Sequence, residues 1–223
     1  MEAEDLPYVV AEHLAHFPDG FFARLGPGFL TRYTATYLDS PYARGYLLEH
    51  DGEPVGFLVG VTDPASHRRR LVDEHGRALA LRASAALMAR PALAVHFTRT
   101  RAARYSRKLL PQRGRAPAAP AAERAGAVGP PQRVAVLAHV VVSVPFRSHG
   151  LGATLTNQFV QDAAAYGCSR VSLVTETGDK GAGKFYERLG WHFGGETRTP
   201  EGRRLSSYSF PLYPIPPLSR GTL

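Results

Sequence analysis

The stretch PFRSHGLGATL, Pro145–Leu155, decides how this chain is read. It follows RVAVLAHVVVSV, Arg133–Val144, a nearly continuous β-branched run of the kind that fills a strand buried on both faces. It opens a segment in which Leu151, Leu155, Phe159, Ala163 and Tyr166 recur at helical spacing, with Gly167 where a C-terminal cap belongs. Val171–Thr175 then reads as a second strand. Strand, glycine loop, helix, strand is a βαβ unit. Its loop leaves the N–H groups of the first helical turn pointing outward with the helix dipole behind them, which suits an anion. Gly150 and Gly152 let the backbone approach a ligand, and Arg147 adds positive charge at the entrance. Two common phosphate motifs are excluded. A P-loop ends in Gly-Lys-Ser/Thr, and a dinucleotide fingerprint needs a third glycine where Leu155 stands.

Upstream of this unit, Leu6–Phe17 carries Leu6, Val9, Val10, Leu14 and Phe17 at helical spacing, and a second helix follows Pro27 as far as Leu38. Gly45–His50 and Pro54–Thr62 are short apolar runs joined at Asp51-Gly52, a strong hairpin signal. Downstream, Ala182–Leu189 reads as a helix, and Trp191–Thr197 with Leu205–Tyr213 as a hairpin around Pro200-Glu201-Gly202. No internal repeat is found.

Between the two halves lies a segment of different character. The chain has a net charge of +8, but His67–Arg115 holds thirteen Lys/Arg against Asp73 and Glu74, which leaves the remainder slightly acidic. From Gln112 to Arg133, Ala, Pro and Gly make up fourteen of twenty-two residues, the composition of a linker with little to bury. Residues 67–132 are therefore read as a basic helical insertion followed by an Ala/Pro/Gly-rich linker, within a single domain spanning 1–223.

A single cysteine, Cys168, rules out an internal disulfide and a multi-cysteine zinc cluster, and reads as a small buried residue. The acidic N-terminus MEAEDLPYVV lacks the features of a secretory signal, and no uninterrupted apolar run reaches eighteen residues. A cytoplasmic protein is expected. The Ala, Arg, Gly and Pro bias points to a bacterial source with GC-rich DNA.

The second half resembles the GNAT superfamily of N-acetyltransferases. That family's acetyl-CoA loop, Arg/Gln-x-x-Gly-x-Gly/Ala, is matched by Arg147-Ser148-His149-Gly150-Leu151-Gly152, followed by Ala153 and preceded by Val142 at the usual offset. A second family signature, Asn-x-x-Ala-x-x-Leu/Phe-Tyr-x-x-x-Gly-Phe, is matched by Asp179 through Trp191, with Asp179 in the Asn position. The resemblance is specific over Arg133–Tyr213 and looser over Leu6–Thr62. Three departures stand out: only five residues precede Leu6 where the family opens with a strand, so that strand is either absent or lies upstream of this start; residue 179 is Asp; and the loop from His67 to Gln132 is far longer than the family's turn.

The resemblance implies an α/β fold with a mixed, mostly antiparallel central sheet flanked by helices, with splayed central strands and here a long helical insertion. It implies acetyl-CoA as co-substrate, no metal, and transfer to the primary amine of a small molecule, with an amino sugar or antibiotic-like metabolite favoured. Backbone N–H groups of Val142, Ser143 and Val144 would meet the pantetheine arm and the acetyl carbonyl. The loop Arg147, Ser148, His149, Gly150, Leu151, Gly152 and Ala153 would hold the pyrophosphate, with Asp179 and Tyr186 completing the cofactor contacts. Tyr186 stands where the family commonly places a general acid. For the base, His139 on the central strand and Glu176 at the C-terminal end of the next strand are the candidates, with Ser143 a weaker proton relay.

For the insertion, the readings are a solvated helical lid, a surface for an anionic acceptor or membrane through 67–115, or nucleic-acid contact. Nucleic acid ranks last because no recognised module or aromatic stacking platform accompanies the charge. A homodimer is left open. Two other function classes remain beside the enzyme: a non-catalytic acyl-CoA-binding regulatory module, and a membrane-surface acyltransferase acting on a lipid-linked amino sugar.

Overall fold

In a computed structural model, which describes residues 1–99, 133–178, 181–199 and 201–212, six strands form one sheet in the order β1-β2-β3-β4-β6-β5. The strands are β1 (Ala43–His50), β2 (Glu53–Val61), β3 (Val134–Val142), β4 (Arg170–Glu176), β5 (His192–Arg198) and β6 (Arg204–Pro211). All neighbours are antiparallel except β3 and β4. The β1–β2 turn places Asp51 at φ 53° and Gly52 at φ 81°, the left-handed pair that a two-residue hairpin turn requires. No strand precedes the first helix among the described residues.

Helices cover both faces. On one lie α1 (Leu6–His16), the short α2 (Phe21–Arg24) and α3 (Pro27–Leu38); on the other lies α7 (Leu151–Ala165), the crossover between β3 and β4. Successive β2 residues serve opposite layers, as a strand buried on both faces must. Phe57, Val59 and Val61 join Val9 and Tyr37 beneath α1 and α3, while Leu58 joins Leu155, Phe159 and Ala163 of α7. The α7 helix ends as its sequence indicates: Gly167, at φ 81°, donates to the Ala164 carbonyl and Cys168 N–H to that of Ala163, a Schellman closure. Cys168 is buried there, its Sγ 3.3 Å from the Thr62 carbonyl.

Two departures from regular pairing shape the sheet. Val59 pairs with His139 but Gly60 with Leu137, so β3 bulges at Ala138. The extra residue inverts the facing of everything after it. Ala135 and Leu137 face α7, whereas His139 meets α1 rings and Val141 joins the α1–α3 core. The second departure is that β3 and β4 pair only at Val134, Ala135 and Val136, opposite Arg170, Val171 and Ser172. Beyond that point β3 continues alone on this side, giving the splayed central strands that the sequence led us to expect.

The insertion starts at Pro64, three residues before the expected boundary, as α4 (Pro64–Arg70), a π-helical turn (Leu71–His75), α5 (Gly76–Met88) and α6 (Pro91–Phe97). Its described part is more than a solvated lid. Leu79 and Leu93 pack on Leu25 and Phe29 in a separate small core, Arg90 donates to the carbonyls of Arg24 and Leu25, and buried His67 Nδ1 lies 3.0 Å from Ser40 Oγ. The linker and the rest of the insertion, residues 100–132, lie outside the described residues.

Gly60 tests the α7 packing. The fully buried Phe159 ring occupies the position a Cβ on Gly60 would take. We expect Gly60→Ala to cost about 1–3 kcal/mol through overpacking. Adding Phe159→Leu should recover part of that loss, both read as denaturation midpoints.

Candidate active site

The anion-binding loop has the geometry its sequence suggests. After β3 a 3-10 turn (Val144–Phe146) leads into Ser148 at φ 66° and Gly150 at φ 79°, and Gly150 caps α7 with no side chain over the helix end. The helical ladder begins with Thr154 N–H donating to the Gly150 carbonyl, so the amides of Leu151, Gly152 and Ala153 face outward from the first turn. The two glycines act differently. Gly150 needs its left-handed backbone, whereas a Cβ on Gly152 would press on the Phe185 ring at 3.3 Å, so Gly152 serves helix packing.

Arg147 does not project into the space before these amides. Its Nε donates to the Val142 carbonyl at 2.9 Å and its Nη2 lies 2.6 Å from His16 Nε2. His16 Nδ1 in turn contacts the Glu12 carbonyl at 3.0 Å, so Nδ1 carries the hydrogen and Nε2 accepts from Arg147. Next to it, Ser143 Oγ donates to Glu12 Oε2 at 3.3 Å, which leaves the Tyr8 hydroxyl, 3.0 Å away, as donor to Ser143. Burial and the Glu12 charge raise the Tyr8 pKa, with the Ser143 contact opposing them. The N-terminal helix is thus fastened to the strand and loop that would carry the cofactor. Tyr8, Glu12 and His16 were missed in the sequence because only the apolar face of α1 has a readable period.

One expected contact is corrected. The Ser143 N–H donates to the Val55 carbonyl at 2.9 Å and is not free. Amides alternate sides along a strand, so Val142, the last residue of β3, is the one turned toward β4, where pairing has already ended, while Val144 opens the 3-10 turn beyond the strand. The Arg147 bond to the Val142 carbonyl lies on that same open edge.

Tyr186 sits on α8 (Gly183–Arg188) within the α7-side core, beside Phe185, Trp191 and Tyr208. Desolvation pushes its pKa up to about 12. A phenol so held stays protonated at neutral pH. Glu176, at the end of β4, accepts from Arg203 Nη1 at 3.2 Å and is half exposed. Asp179 lies outside the described residues.

His139 lies in a cleft of about 210 Å³ that it lines together with His13, Phe17, Gly20, Phe21, Phe22 and Arg203. The His139 ring centre is 4.5 Å from that of His13 and 5.2 Å from that of Phe17. Desolvation, with a smaller push from His13, lowers its pKa to about 3, and desolvation lowers that of His13 to about 4. The expectation that His139 takes a proton near neutral pH is therefore revised: both imidazoles are neutral there, and a proton placed on either is weakly held. The cleft joins the end of α1, α2 and the β5–β6 turn, a grouping that no local spacing announces; the His13–Phe17 pair, four residues apart on one helix face, was its only sequence trace. Among the described residues, no group of His, Cys, Asp or Glu is arranged to hold a metal.

Residues 118–191, which take in β3, the glycine loop, α7, β4 and α8, match the family model for the Acetyltransferase (GNAT) family. The match covers about a third of the chain and makes this segment similar to that family. Solved acetyltransferase structures match nearly the whole chain. A protein described as an acetyltransferase is 17% identical, with a TM-score of 0.55 over 95% of this chain and 97% of its own. An N-acetyltransferase from Staphylococcus aureus Mu50 is 10% identical, with a TM-score of 0.55 over 96% of each chain. An aminoglycoside 6'-N-acetyltransferase complexed with coenzyme A is 13% identical, with a TM-score of 0.53 over 95% of this chain and 92% of its own. At these identities the likeness speaks for the fold. No curated protein matches the chain.

The neutral histidines carry a pH signature. In the unfolded chain each takes up a proton near pH 6.5, whereas the folded chain resists until about pH 4 and about pH 3. The unfolded state therefore binds more protons across that window, and stability falls as pH drops below about 6.5. We expect a lower melting temperature at pH 5 than at pH 7, with a smaller difference in His13→Phe.

Proposed function

We propose that the protein transfers the acetyl group of acetyl-CoA to the primary amine of a small molecule. The observation that carries this reading is the set of outward amides beside one opening: Leu151, Gly152 and Ala153 at the start of α7, with Val142 on the unpaired edge of β3 and Val144 in the 3-10 turn that follows it. The first group suits a pyrophosphate, with the helix dipole behind it. The second suits an extended chain carrying amide carbonyls and, at its end, the thioester oxygen.

In the reaction, the amine nitrogen bonds to the thioester carbon and negative charge develops on the carbonyl oxygen, which an amide of the β3 edge stabilises. The carbon–sulfur bond then breaks and the sulfur takes up a proton. Tyr186 is the donor within the α7-side core: its pKa of about 12 keeps it protonated, and because a thiol's is about 8.5 the transfer runs uphill, so it needs the sulfur in direct contact and ends with the phenolate regaining a proton from solvent. The proton lost by the amine goes to water or to Glu176, which stands at the end of β4 with Arg203 bound to it. His139 remains a candidate acceptor of that proton, and its low pKa makes it the weaker one.

A second reading concerns location. No helix among the described residues is long and apolar enough to cross a membrane. The insertion nevertheless exposes Leu81 by 73% and Met88 by 79%, beside its arginines, an arrangement that fits peripheral contact with an anionic membrane. Sedimentation with phosphatidylglycerol vesicles tests it: binding should vanish when the insertion is deleted, and equal binding by both forms would exclude the role.

Acetyl-CoA should raise the melting temperature, and an amine panel should release free CoA thiol. In Tyr186→Phe we expect kcat to fall about 100-fold with little change in KM for acetyl-CoA. A non-catalytic binding module would instead give the same thermal shift in both forms and no turnover in either.

A further inference from the structure

The cleft at His139 lies across the mouth of the sheet opening. His139 comes from β3, beyond the last β3–β4 pair, and Arg203 reaches the same space while bound to Glu176 at the end of β4. His13 and Phe17 close it from α1, and Phe21 and Phe22 from α2. It thus opens on the α1 side of the sheet, opposite the α7 helix whose N-terminus faces the donor loop. A donor held along the β3 edge would present its acyl end between these two faces.

The lining specifies what can bind. Among the described residues, three phenyl rings and two imidazoles form the walls, and the one charged lining residue, Arg203, is a cation already shared with Glu176. No carboxylate among the described residues lines the cleft. A polycationic acceptor would have to shed the hydration of several ammonium groups with nothing to pair them, a cost that unpaired buried charge always carries. A phenyl or indole ring would instead stack edge-on or offset against Phe17, Phe21 and Phe22. Size agrees, since about 210 Å³ falls below the roughly 300–1,000 Å³ of clefts that take drug-sized ligands. One or two fused rings with a short chain fit; several linked sugar rings do not.

We propose that the acceptor is an arylalkylamine, a primary amine on a short chain from an aromatic body, with its ring among Phe17, Phe21, Phe22, His13 and His139. This rests on the acetyltransferase reading and replaces the amino sugar favoured by the sequence. The low pKa of both histidines agrees with it, because neutral imidazoles offer ring edges without repelling or attracting charge. Transfer joins the amine nitrogen to the acetyl carbon and releases CoA thiol, with one proton passing from nitrogen to solvent or Glu176.

The test uses the full chain with acetyl-CoA, following thiol release with 2-phenylethylamine and tryptamine against glucosamine, kanamycin and spermidine. The two arylalkylamines should show kcat/KM at least about tenfold above the others. Phe21→Ala should raise KM for 2-phenylethylamine about tenfold while leaving the acetyl-CoA thermal shift intact, which also shows that the variant is folded. Preference for a cationic or sugar amine, or an unchanged KM in Phe21→Ala, would overturn the proposal. Calorimetry of 2-phenylethylamine on CoA-saturated protein separates the two readings. Binding without turnover upholds this cleft and counts against the transferase reading; a thermal shift with acetyl-CoA but no arylalkylamine binding defeats the cleft assignment alone.

Discussion

The separation of β3 from β4 after three residue pairs is the constraint on which the rest of the structure depends. A buried strand edge with unpaired amides is costly, and closed sheets avoid it. Here the edge is kept open in one place, and the surroundings are organised around it. The Arg147 side chain satisfies the Val142 carbonyl, the α7 N-terminus is placed beside it, and aromatic residues of α1 and α2 wall the other side. The parallel β3–α7–β4 crossover explains how the opening arises. The two strands start together where α7 and the Schellman turn hold them, and then diverge.

The bulge at Ala138 gives this edge its second property. By inverting the strand's facing, it turns His139, Val141 and Ser143 toward α1, so the same strand presents amides sideways to the opening and side chains to the N-terminal helix. Tyr8, Glu12 and His16 then tie α1 to Ser143 and Arg147. The loop after β3 and the end of α1 are therefore in direct contact through polar groups.

Most of the fold was legible because its elements are locally consistent. The β-branched run of β3, the Asp51-Gly52 turn, the Leu155, Phe159 and Ala163 stripe and Gly167 each point to the structure they adopt. The donor loop was legible for the same reason, as its function is built from consecutive backbone groups. The cleft was not. Phe21 and Phe22 sit on a four-residue helix too short to show a period, and Arg203 reaches His139 only through the β5–β6 turn. Which amides of 142–144 are free was also beyond a sequence reading, because it depends on the register against Val55. The low pKa of His139 follows from burial against His13, a neighbour over a hundred positions away in the chain.

The central claim is that the outward amides of this opening bind an acyl-CoA, and a crystal structure of the full chain with coenzyme A tests it most directly. The account predicts the pyrophosphate within hydrogen-bonding distance of the Leu151, Gly152 and Ala153 amides, and the pantetheine arm running along β3 with its carbonyls on Val142 and Val144. Coenzyme A bound elsewhere on the chain, or an opening closed by continued β3–β4 pairing in the complex, would contradict it.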